Sequence, residues 1–87
     1  MENAQNRKVL VAFGNKIREA RQSKGFSQET LAEKAGLHRT YIGTVERGER
    51  NPALVNLVRI ADALSVDLST LTEGLSLLPA SRRGATR

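Results

Sequence analysis

The sequence predicts an all-α domain built from five short helices. Three observations lead there. Apolar residues recur at three- and four-residue steps along most of the chain, and no stretch alternates in the manner of a strand. Aromatic residues make up only 3% of the composition against 39% hydrophobic in all, so Leu, Val, Ile and Ala must build the core. At 87 residues there is room for one core and not for two.

The helices follow in order. From about Arg7, the residues Leu10, Phe13, Ile17 and Ala20 form one stripe, with Lys16, Arg18, Glu19 and Gln22 on the wet side. Lys24-Gly25 closes this helix, with a cation in its last turn and glycine just beyond. Ser27 is a good N-cap for a second helix, Glu29 suits its first turn, and Leu31, Ala32 and Ala35 line its inner side. Gly36 then supplies a tight turn. A third helix starts near His38 and stops at Gly48, with Leu37, Ile42 and Val45 directed inward. Asn51-Pro52 marks a loop before the stripe Leu54, Leu57, Val58, Ala61 and Leu64. Ser65-Val66 interrupts it, and a fifth helix over 67–75 carries Leu68, Leu71 and Leu75. Residues 1–6 are expected to be disordered, 7–78 to form the folded domain, and 79–87 to be a basic disordered tail with three arginines and no acid.

Composition excludes several functions. Without cysteine there are no disulfides, zinc fingers or thiol chemistry. One histidine, His38, no periodic carboxylate cluster, no glycine-rich phosphate loop and no metal-binding spacing argue against an enzyme, a metal or a cofactor. No apolar run reaches the roughly 18 residues of a membrane span. The start MENAQNRK lacks an apolar signal core, so a cytoplasmic protein is expected. The net charge of +5 favours a polyanionic partner but does not choose among DNA, RNA and a membrane surface.

Geometry narrows that choice. Two helices joined at Gly36 form the layout of a DNA-binding helix-turn-helix. With Ile42 and Val45 inward, Arg39, Thr40, Gly43, Thr44 and Arg47 are left outward on a helix that fits the major groove. Arg39 suits guanine O6 and N7. Thr40 and Thr44 offer a hydroxyl to a base or phosphate and a methyl to thymine. Gln28, opening the second helix, suits a phosphate, or is a solvated helix start. Tyr41 reaches DNA or packs half-buried, and His38 has an open role beside phosphate. Arg50 and Asn51 are placed for backbone contacts, although a charged loop is more usually just solvated. Gly43 reads either as close approach to DNA, as room for a neighbouring helix, or as drift. Arg21 and Glu46 are candidates for an ion pair between the first and third helices. An apolar strip of Val66, Leu68, Leu71, Leu75 and Leu77 is the candidate homodimer surface, unless some of these leucines close the monomer core.

The run IREARQSKGFSQETLAEKAGL followed by YIGTVERGERNP resembles the Cro and phage-repressor-like (XRE) helix-turn-helix family, over about Ile17 to Leu71. Within it, LHRTYIGTVERGERNP looks most like the controller proteins of restriction–modification systems. The resemblance implies a lambda-repressor-like five-helix fold and a symmetric dimer on a palindromic operator. It implies a phosphate contact by Gln28 and a groove-facing set of Arg39, Thr40, Tyr41 and Thr44. It also implies an Arg21–Glu46 support and a dimer interface around the fifth helix. The expected partners are double-stranded DNA, a second copy of the chain, and RNA polymerase, which occupancy blocks or recruits. An antitoxin or a phage-type repressor would share this fold. An RNA-binding or coactivator domain fits less well, because Phe13, Phe26 and Tyr41 are too few for base stacking. The sequence departs from the family's pattern at His38, where a small or acidic cap is common, at Gly43, where a base-reading side chain is common, and in the basic tail.

Overall fold

The computed structural model describes residues 3–78. Within them lie α1 (Ala4–Ser23), α2 (Gln28–Ala35), α3 (Arg39–Glu46), α4 (Leu54–Ala63) and α5 (Leu68–Thr72). The expected tail over 79–87 lies outside the described residues.

Local chemistry accounts for the helix ends. α1 begins earlier than expected, inside the segment 1–6 taken for a disordered terminus. Asn3 is the reason: its side-chain oxygen accepts from the Asn6 backbone N–H at 2.8 Å, and asparagine is among the best N-caps. Ser27 caps α2 by accepting from the Thr30 N–H at 3.0 Å. Gly36 ends α2 in the left-handed conformation, φ 71° and ψ 31°, which costs glycine nothing for want of a Cβ. That turn lets the Leu37 N–H return to the Ala32 carbonyl at 2.9 Å and redirects the chain into α3. α5 stops at Thr72, short of the expected Leu75, because Glu73 turns extended and Gly74 takes φ 79°.

Phe13, Ile17, Leu31, Ala32, Ala35, Ile42, Val45, Ile60, Ala61, Leu64 and Leu71 form one core. α2 packs on both α3 and α4, while α1 holds α3 on one side and α5 on the other. The crossing of α1 and α3 is unusually close. A Cβ on Gly14 would run into the backbone carbonyls of Val45 and Glu46, so only glycine allows this approach. It places Arg18 and Arg21 of α1 beside Glu46.

Two expectations about apolar faces are corrected. Leu54 and Val58 do not enter the core; they are 66% and 42% exposed, and Val55 is exposed beside them. The inward face of α4 is Leu57, Ile60, Ala61 and Leu64, one strip further round the helix. α4 has more apolar surface than its neighbours can cover, so packing selects one strip and leaves the other wet. Leu71, expected at a dimer surface, is instead buried within the monomer core. Val66, Leu68 and Leu75 pack half-buried against that core, and of the strip only Leu77 is exposed.

Candidate nucleic-acid interface

The site is built from α2 and α3 on a buried polar anchor. Glu46 closes α3 with its carboxylate fully buried, and three donors meet it. Arg21 gives Nε to Oε2 at 2.6 Å and Nη2 to Oε1 at 3.0 Å, and Gln28 gives Nε2 to Oε1 at 3.0 Å. Arg21 spends Nη1 on the Phe26 carbonyl at 2.9 Å, just ahead of α2. One guanidinium thus ties α1 to the C-terminal end of α3 and to the entry of α2. The Glu46 hydrogen bonds raise the Arg21 pKa against the opposing effect of burial. Among the described residues no buried side-chain nitrogen or oxygen lacks a partner, as a buried ion pair requires.

Above this anchor lies an open cleft of about 610 Å³ lined by Arg21, Ser27, Gln28, Glu29, Arg39, Thr40, Gly43 and Arg47. It brings together four of the expected contact residues: Gln28, Arg39, Thr40 and Arg47. Arg39 is free to move, since its contact with Glu29 is loose at 3.7 Å and both side chains are mostly in water. Gln28 is half-buried and tied down, with one amide N–H committed to Glu46. As a first-turn residue it leaves its backbone N–H outside the helical ladder, directed at whatever lies before α2. Arg47 forms a fork with Glu49, Nε to Oε2 at 3.0 Å and Nη2 to Oε1 at 3.2 Å. Those hydrogen bonds raise the Arg47 pKa and hold the Glu49 carboxyl below the usual carboxylate range.

A second group sits on the neighbouring side of α3. The Thr44 hydroxyl donates to the Tyr41 carbonyl at 2.7 Å and accepts from Arg50 Nε at 3.2 Å, while the Arg50 guanidinium lies 5.2 Å from the centre of the Tyr41 ring. Asn56 of α4 donates to the Tyr41 hydroxyl at 3.0 Å. Sequence reading missed Asn56, and nothing in its local pattern marks it; only the packing of α4 brings it to Tyr41.

Two expected residues join neither group. His38 caps α3, its Nδ1 accepting the Thr40 N–H at a long 3.4 Å. Asn51 lines a separate small cavity with Asn6, Val9, Leu10 and Leu77. Gly43 faces the cleft, as expected of an outward position, but is covered there by the Arg47 and Gln28 side chains.

Two helices at a glycine turn, the second carrying an exposed arginine and threonine beside the start of the first, define a motif. The helix-turn-helix family profile (HTH_3) matches residues 17–71, the α2–α3 unit with its supporting helices. The chain belongs to the helix-turn-helix family.

Its relatives narrow the description. It is 46% identical over 66 residues to the control protein C.BamHI of Bacillus amyloliquefaciens, covering 75% of this chain and 82% of that one. With the control protein C.SmaI of Serratia marcescens it shares 51% over 63 residues, 72% of this chain and 75% of the relative. Among solved structures it superimposes on the restriction–modification controller protein C.AhdI of Aeromonas hydrophila with a TM-score of 0.71 and 53% identity, over 71% of this chain and 94% of that one. The resemblance to controller proteins and the five-helix expectation both hold. In this helix-turn-helix protein α2 is the first helix of the motif and α3 the second. Among the described residues no helix is long and apolar enough to cross a membrane.

Proposed function

We propose that this chain is a transcriptional regulator that binds double-stranded DNA as a dimer and controls a restriction–modification operon. The observation that carries this reading is the cleft between α2 and α3. It gathers Gln28, Arg39, Thr40 and Arg47 on the open side of the motif. Arg39 reads a guanine from the start of α3, where a recognition helix meets base edges. Gln28, at the head of α2, and Arg50, in the loop after α3, take phosphates and set the register. Thr40, Tyr41 and Thr44 line the groove between them. The likeness to C.BamHI, C.SmaI and C.AhdI supports the assignment to restriction–modification control.

The dimer surface proposed here differs from the fifth-helix strip, because Leu71 is spent on the core. Its place is taken by Leu54, Val55 and Val58, the apolar strip of α4 left in water. A two-fold dimer then needs an operator of two half-sites, about 34–36 Å apart between centres if they lie one turn of DNA apart. The mechanism is occupancy: a promoter site, once filled, blocks or recruits RNA polymerase according to its position.

Selection of bound duplexes from a random pool tests the reading. The expected product is a palindrome with that spacing, found again upstream of a restriction or modification gene. Recovery of a single asymmetric site, or of no site, would overturn it.

A further inference from the structure

Gly43 stands in the middle of a helix, where glycine is disfavoured relative to alanine. The structure supplies what that position gains. A Cβ on Gly43 would lie 3.2 Å from Arg47 Nη1, tighter than an ordinary contact, and 3.6 Å from the Gln28 amide oxygen. Residues four apart share one helix face, and long side chains on a helix point back toward its N-terminus. Arg47 therefore lies along α3, with its guanidinium over Gly43 instead of beyond the helix end. This brings it into the same cleft as Arg39.

Glu49 decides which edge of that guanidinium is left over. It takes Nε and Nη2, one side of the plane. The two N–H groups of Nη1 and the second N–H of Nη2 have no partner in that fork. The outward N–H of Nη1 and that second N–H of Nη2 form the terminal edge of the guanidinium, a pair of parallel donors matched to guanine O6 and N7.

We infer that Gly43 is a seat for the Arg47 side chain, and that Arg47, steadied by Glu49, reads a second base pair beside the one read by Arg39. The glycine thus contributes to sequence recognition although it has no side chain of its own. Arg47 replaces the missing group from one turn further on. Position 49 becomes a positioning residue: its carboxylate holds the plane of the guanidinium and does not touch DNA. The inference rests on the DNA-binding reading above.

The test is base preference at every operator position, read by pool selection for the wild type, Arg39→Ala, Arg47→Ala, Arg47→Lys and Gly43→Ala. Arg47→Ala should relax one base pair of each half-site by roughly tenfold, within the range of a bidentate contact, and Arg39→Ala should relax a different one. Gly43→Ala should relax the same pair as Arg47→Ala, with a melting temperature at or above that of the wild type. Arg47→Lys should not restore the preference, because an ammonium keeps the charge and loses the fork. A uniform loss on all duplexes for Arg47→Ala, made good by lysine and with a salt slope smaller by about one, would make Arg47 a phosphate contact and overturn the inference while leaving the DNA-binding reading intact. An unchanged preference in Gly43→Ala would overturn the seat. A wild type that selects nothing overturns both.

Discussion

Arg21 and Glu46 are 25 residues apart in sequence and meet through two hydrogen bonds, at 2.6 and 3.0 Å, with the carboxylate fully buried. Their pairing ties α1 to the C-terminal end of α3. It also supplies the acceptor that holds Gln28 at the start of α2. The residue that closes the motif therefore holds, through its carboxylate, the residue that opens it.

Removing Arg21 leaves that carboxylate buried with only Gln28 and a distant Arg18, whose Nε stands 3.7 Å away. Breaking a buried pair from one side costs about 3–5 kcal/mol. Arg21→Ala is expected near the lower end of that range in urea unfolding, because Arg18 compensates in part. A loss below about 1 kcal/mol would place the pair among ordinary surface contacts.

Gly14 makes an opposite prediction to helix propensity. Alanine in a helix interior is favoured over glycine by about 1 kcal/mol. Here the added methyl meets the backbone carbonyls of α3, which have no flexible end to swing aside. Gly14→Ala should therefore lose about 1–3 kcal/mol by overpacking. A variant that melts higher than the wild type would show that α1 and α3 are not held this close.

The two apolar surfaces separate by experiment. Leu71→Ala empties a fully buried position and should cost about 2–5 kcal/mol of stability. Val58→Asp alters an exposed position on α4 and should leave the monomer fold intact while shifting sedimentation from dimer to monomer. A Val58→Asp protein that still sediments as a dimer would move the interface elsewhere.

Arg39 and Arg50 should differ in kind. Arg39→Ala is expected to lose about 1–3 kcal/mol on the cognate site and little on random DNA. Arg50 is held against Tyr41 and Thr44, away from the cleft. Arg50→Ala should weaken binding to all sequences and flatten the dependence on salt. Titrations of both variants against cognate and scrambled duplexes at two salt concentrations distinguish the cases. Equal losses on both duplexes for Arg39→Ala would assign it to phosphate.

Much of the motif is legible in the amino-acid sequence. Ser27 and Gly36 mark the ends of α2 by chemistry that acts within a few residues, and the inward set Leu31, Ala32, Ala35, Ile42 and Val45 follows from helical spacing alone. The start of α1 was legible too, in Asn3, but the polar run around it read as disorder. α4 shows where such reasoning stops. Leu54, Leu57, Val58, Ile60, Ala61 and Leu64 offer two overlapping apolar strips, and periodicity ranks them equally. The surfaces of α2 and α5 choose between them.

By itself the sequence determined the five helices, the glycine turn and the identity of the side chains around α3, because caps, turns and periodicity are decided by neighbours along the chain. Spacing along α3 also puts Arg47 on the face of Gly43, and Glu49 two residues on holds its guanidinium there. Tertiary structure alone decided that Leu71 belongs to the core, that Asn56 meets Tyr41, and that Gln28 is tied to Glu46. These three depend on which distant segment packs against a face, and no local spacing encodes that choice.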